Sequence, residues 1–159
     1  MWKNIVENAF EDIILHDCVA QNAELLDNTL SLHFKNGFWL IPENRLNKSD
    51  TILATKESCV KFCDILDDSF ECQVYQHFKI FGKYAFSRRN YIDLDKFIGK
   101  LNSGEWKLEF VEEYKQWKHY FYSGFIETKK CQSKFEFSIS LLCEKIEYCW
   151  NEENKERVW

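Results

Sequence analysis

The chain is poor in residues that break regular structure: proline occurs once, as Pro42, and glycine five times. That scarcity excludes a disordered tether or a loop-dominated fold. No stretch approaches the roughly 18 consecutive apolar residues that a membrane-crossing helix needs. The opening Met1-Trp2-Lys3-Asn4-Ile5 lacks the basic-then-apolar order of a secretory leader. Basic excess is missing too. The net charge of −5, with Arg88-Arg89 as the only adjacent arginines, argues against nucleic acid and anionic membrane as partners. There is no Gly-x-Ser-x-Gly elbow and no glycine-rich phosphate loop, so serine-hydrolase and nucleotide chemistry are disfavoured. The seven cysteines are odd in number and scattered, unlike the paired framework of a small secreted domain. These features predict a cytoplasmic protein with reduced thiols, no metal and no cofactor.

What the chain has in abundance is aromatic and alternating. Aromatics make up 17% of its 159 residues, enough for one domain spanning 1–159 with a ring-rich core. The segment Thr29–Ile41 alternates Leu30, Leu32 and Phe34 with polar residues and then meets Asn36-Gly37, a strong signal for a type I′ hairpin. That turn would set Phe34 opposite Trp39 and Leu32 opposite Ile41. Ile13 to Ala20 reads as a preceding strand, with Asp27-Asn28 as a second tight turn. Phe70, Cys72, Val74, Phe78 and Ile80 share one face of another strand, before a turn expected at Gly82-Lys83. Further strands follow from Val60 and Phe62, closed by Asp67-Asp68-Ser69, and from Trp106, Leu108 and Phe110. Trp117 and Phe121 continue the pattern, as do Phe135, Phe137, Ile139 and Leu141, running on through Ile146, Tyr148 and Trp150.

Two segments carry helical spacing instead. Trp2, Ile5, Val6, Ala9 and Phe10 predict a short N-terminal helix within residues 1–10. Leu94, Phe97, Ile98 and Leu101 predict a second, capped by Asp93 and stopped at Gly104. The tail 151–159 is charged, and fraying is expected there apart from Trp159. The fold class is therefore mainly β (α+β): a curled or barrel-like antiparallel meander of about eight strands with one or two short helices. Lysine outnumbers arginine 17 to 4 and asparagine is frequent, a bias of AT-rich bacterial genomes.

Candidate chemistry is thin. His16-Asp17-Cys18 contains metal-ligating types, but neighbours on a strand point to opposite faces. Cys59, Cys63, Cys72 and His77 depart from zinc-knuckle spacing, and buried thiols explain them more simply. Glu109, Glu112 and Glu113, near Tyr114 and His119, could form an acid–base cluster, yet a solvated strand face is the commoner origin of such a run. The aromatic surplus is more telling. Phe38, Leu40, Tyr75, Phe81, Val111, Tyr120 and Tyr122 fall opposite the assumed core face, so the sheet is covered on both faces, curls round a cavity, or offers a docking surface. Trp117, Tyr120 and Tyr122, bordered by Glu112 and Glu113, are the best candidates for a binding patch.

Leu15-His16-Asp17-Cys18, followed by Leu30-x-Leu32-x-Phe34 and a glycine-centred turn, resembles small uncharacterised β-rich proteins of low-GC bacteria, some of which are immunity-like. The resemblance covers about 30 residues and brings no catalytic residue with it. The acidity, the aromatic surplus and the lack of a catalytic signature point to a non-enzymatic interaction protein that binds another protein, a basic one given the chain's charge. A small apolar-ligand-binding barrel is the alternative, and a carboxylate-dependent hydrolase the third.

Overall fold

The structure is a computed structural model that describes every residue except 67, 82, 129, 130 and 158, with backbone alone described at 79, 80, 84, 85 and 131–134. The turns expected at Asp67-Asp68-Ser69 and Gly82-Lys83 each include a residue outside that set. In chain order the elements begin with β1 (Asn4–Glu7), β2 (Ile13–Ile14), β3 (Val19–Leu26), β4 (Thr29–Phe34), β5 (Trp39–Leu40), β6 (Leu53–Thr55) and β7 (Ser58–Ile65). They continue with β8 (Glu71–Ile80), β9 (Lys83–Ile92), α1 (Leu94–Asn102), β10 (Trp106–Gln116), β11 (His119–Thr128), β12 (Cys131–Trp150) and β13 (Glu153–Asn154).

Six antiparallel strands close into a barrel in the order β11-β10-β3-β4-β7-β12, with β12 pairing back to β11. Closure depends on the 20-residue β12, whose first half pairs with β11 and β8 and whose second half pairs with β7 and β1. Its inward residues are Phe137, Ile139, Leu141 and Cys143, then Ile146, Tyr148 and Trp150. The break in the two-residue rhythm at Glu144-Lys145 falls where the strand passes from one set of neighbours to the other. A barrel this narrow is filled by side chains. Phe110 meets Phe34, Tyr122 and Phe137 at ring-centroid distances of 5.6 Å each, and Phe62 meets Tyr122 at 5.7 Å. Such edge-on contacts contribute about 0.5–1.5 kcal/mol per pair beyond area burial.

Local sequence explains several joints. Asp27 and Asn28 both sit at positive φ (49° and 57°), a type I′ turn that joins β3 to β4 in register. Asp93 caps α1 by accepting from the Lys96 amide at 2.8 Å, and the helix buries Phe97 and Leu101. Asn102 then clamps α1 to β3, accepting from the Ala23 N–H and donating to the Ala23 carbonyl.

Four expectations are corrected. Asn36-Gly37 does not form a type I′ hairpin: only Gly37 has positive φ, and the strands on either side enter different sheets. Phe34 pairs with Ala20 and Ser58, whereas Trp39 pairs with Ile14 and Ala54 in the small sheet β13-β6-β5-β2. Gly37 is required there because a Cβ would lie 2.2 Å from the Thr55 and Lys56 carbonyl oxygens. Second, the expected strand from Ile13 to Ala20 is interrupted between β2 and β3, with Asp17 at φ 57°. Third, residues 1–10 form no α-helix. The segment lends β1 to the edge of β12, with Ile5 opposite Cys149, and a 3-10 turn follows at Phe10–Asp12, so sheet pairing outweighs helical spacing. Fourth, the described tail residues are held rather than frayed: β13 pairs with β6 and Arg157 lies 4.0 Å over the Trp39 ring, while Trp159, as expected, is anchored, meeting Trp39 edge-on at 5.1 Å.

Candidate functional site

Strand β10 decides where the acidic residues go. Trp106, Leu108 and Phe110 point into the barrel, but Phe110 pairs with Gly124 while Glu112 pairs with Ser123, so Val111 is an extra residue. This β-bulge shifts the side-chain alternation by one place. Glu113 is therefore turned inward and Glu112 outward. The bulge is held from outside. His16 Nδ1 lies 2.8 Å from the Val111 carbonyl oxygen, and the Phe110 carbonyl accepts from the Asp17 amide at 2.8 Å.

Glu113 Oε1 accepts a hydrogen bond from the Leu15 amide at 3.1 Å, while Oε2 is shut away from solvent with no hydrogen-bond partner. Burial pushes its carboxyl up to about 7, opposed by the Leu15 N–H and by His16. The hydroxyls of Tyr122 and Tyr148 adjoin one another, fully buried and within reach of the Glu113 charge, with no hydrogen bond to any other group. Burial holds both phenols well above their ordinary value, so they remain protonated. The result is an acid–phenol cluster at the wall of an apolar barrel, with both phenols and one Glu113 oxygen shut away from solvent.

The five candidate binding residues are thereby separated, and the patch they were to form does not exist. Tyr120 and Tyr122 are 2% and 0% exposed, on the inner wall of β11. Glu113 joins Tyr122 inside. Glu112 lies outside, accepting from Ser123 Oγ at 2.9 Å, in a groove of about 510 Å³ with Phe121, Phe125 and Glu136. Trp117 sits at φ 58° in the turn between β10 and β11, 74% exposed beneath the Lys118 ammonium. The physical reason is parity. Tyr120, Phe121, Tyr122 and Phe125 put rings on both faces of β11, so alternation alone could not say which face is inner. Phe38 and Leu40 are likewise buried. Among the described residues no group of three or more His, Cys, Asp or Glu could hold a metal ion.

Exposed aromatic surface gathers elsewhere. Strands β8 and β9 extend the sheet beyond β12, and β9 ends it. Cross-strand register places Phe86, Arg88 and Asn90 on one face of β9, and Ser87, Arg89 and Tyr91 on the other. Phe86 stacks on Phe78 with centroids 4.7 Å apart yet stays 58% exposed, and Arg89 lies 5.3 Å over the 62%-exposed Tyr91 ring. Beside this strand, between it and α1, is a groove of about 510 Å³ lined by Tyr91, Lys96, Lys100 and Trp106. The sequence carried one signal of this: Lys83, Arg88 and Arg89 fall in a ten-residue strand without a carboxylate, in a chain of net charge −5. Comparison with protein-family models, curated proteins and solved structures finds no match for the chain. Fold and site therefore define the class: a closed six-stranded antiparallel barrel with a projecting two-stranded arm.

Proposed function

We propose that this chain is a non-enzymatic protein-binding domain of the immunity-like kind, working in the cytoplasm, with the barrel as scaffold and the β8–β9 arm as docking surface. One observation carries the reading: Phe86 and Tyr91 stand exposed beside Arg88 and Arg89 on the last strand of the sheet. Rings and arginines are the side chains that anchor protein interfaces. Expectation of a basic partner followed from net charge alone. Beside Phe86 and Tyr91 the strand carries arginine and no carboxylate, which favours an acidic contact.

The alternatives have less support. Rings from Phe34, Phe62, Phe110, Phe137 and Tyr122 occupy the space that an apolar ligand would need. Glu112 and Glu113 diverge to opposite sides of β10 rather than converging on a substrate. Photo-crosslinking from p-benzoylphenylalanine at position 86 in host cells tests the reading and should give a discrete protein adduct. A turnover abolished by Glu112→Gln in a folded variant would overturn it.

A further inference from the structure

We infer that β9 receives an acidic, extended segment of a partner protein, which joins the sheet as its next strand. The inference rests on the protein-binding reading above and names the chemistry of the partner. Strand β9 is ten residues long, and among the described residues β8 is its only neighbour in the sheet. A sheet edge presents backbone N–H and C=O groups that an incoming strand can pair with, and side chains on alternate faces then set specificity.

On β9 each face offers the same pair of chemistries. Phe86 and Arg88 share one face, Arg89 and Tyr91 the other. A segment with adjacent carboxylates would set one against each guanidinium, since neighbours along a strand point to opposite faces. Lys96 and Lys100 line the groove at the foot of the strand and extend the positive field, although Lys100 already bonds Glu105 at 2.7 Å.

Two other uses of this edge fit less well. Arginines on an edge strand can serve only to block aggregation. A purely protective edge would not expose Phe86 and Tyr91 beside them. A second copy of this chain would pair β9 with β9 and double the positive charge along the edge, where neither strand has a carboxylate to offset it.

The test uses the full chain and a fluorescein-labelled ten-residue peptide of Glu, Val and Thr with two adjacent glutamates. Two control peptides carry lysine for glutamate, or N-methyl groups on alternate amides. The glutamate peptide should saturate in fluorescence anisotropy and weaken with added salt. Binding should fall at least about tenfold with either control peptide, and with the protein variant Arg88→Glu/Arg89→Glu. Both arginines are exposed, so that variant should fold; if it does not, the two control peptides on the wild-type chain still decide the matter. Equal binding of the lysine and glutamate peptides, tolerance of N-methylation, or no saturation at millimolar peptide would each overturn the inference. A wild-type dimer in sedimentation that the double variant dissociates would make the occupant a second copy and overturn it too. A discrete crosslink from position 86 without peptide binding leaves the protein-binding reading standing and removes only the acidic strand.

Discussion

Gly124 on β11 and Glu109 on β10 touch backbone to backbone: a Cβ added at Gly124 would lie 2.0 Å from the Glu109 carbonyl oxygen. The obstacle is main chain, so no rotamer change can relieve it. This contact sits beside the bulge that turns Glu113 into the barrel. Gly124→Ala should therefore destabilise the fold by about 1–3 kcal/mol or more, as overpacking does. Chemical denaturation would measure it. An unchanged midpoint would mean that the strands are not this close.

Glu113 gives a pH dependence with a definite sign. Its carboxyl is held at about 7 in the folded protein, against an ordinary value of 4.5, so the native state binds the proton more tightly than the unfolded chain. The stabilisation is complete below the unfolded value and is lost as pH rises through the folded one. Between these values wild-type stability should fall with rising pH, with a limiting slope of about 1.4 kcal/mol per unit from this group. Glu113→Gln keeps an acceptor for the Leu15 amide and cannot ionise. Its stability should stay flatter from pH 5 to 8 and exceed wild type at pH 8. Parallel slopes for the two proteins would refute the buried-acid assignment.

The two phenols separate packing from hydrogen bonding. Tyr122 and Tyr148 bury their hydroxyls side by side, with no hydrogen bond to any other group. Tyr122→Phe or Tyr148→Phe should then cost at most about 1.5 kcal/mol, because the one pairing lost is between the two hydroxyls. Tyr122→Ala, by contrast, removes a ring packed on Phe62 and Phe110 and should cost about 3–5 kcal/mol. Thermal melts of the three variants distinguish the cases. A Phe variant as unstable as the Ala variant would show that the hydroxyl, rather than the ring, carries the stability of this position.

The elements legible in the sequence are those whose cause is local. The cap at Asp93 with the spacing of Phe97 and Leu101 marks α1, and Asp27-Asn28 marks the joint between β3 and β4. Pairing of Tyr148 with Val60 and of Ile139 with Cys72 is non-local, and no short window contains it. Asn36-Gly37 misleads for the same reason. Its glycine answers to the Thr55 and Lys56 backbone some 20 residues on, rather than to a hairpin. That Glu113 rather than Glu112 faces inward turns on the single bulged residue Val111, invisible to a two-residue rhythm. The basic edge was visible as charge in Arg88-Arg89, but not as an edge, because only strand order makes it one.

The thiols supply the last prediction. Cys18, Cys59, Cys63, Cys72, Cys143 and Cys149 are free and buried, and the side chain of Cys131 lies outside those described. Burial pushes Cys18, Cys59, Cys72 and Cys143 up to about 12 and Cys149 to about 11, so the reactive thiolate is scarce at neutral pH. Nucleophilic attack needs the thiolate and access to the reagent, and the fold withholds both. Cys18, Cys72 and Cys143 should react with a maleimide only as fast as the core opens, and denaturation without reductant should release all seven. Residue-resolved mass spectrometry follows each site. Rapid native labelling at Cys143, which faces inward on β12 opposite Ile65 of β7, would show that the barrel opens far more readily than a packed core allows.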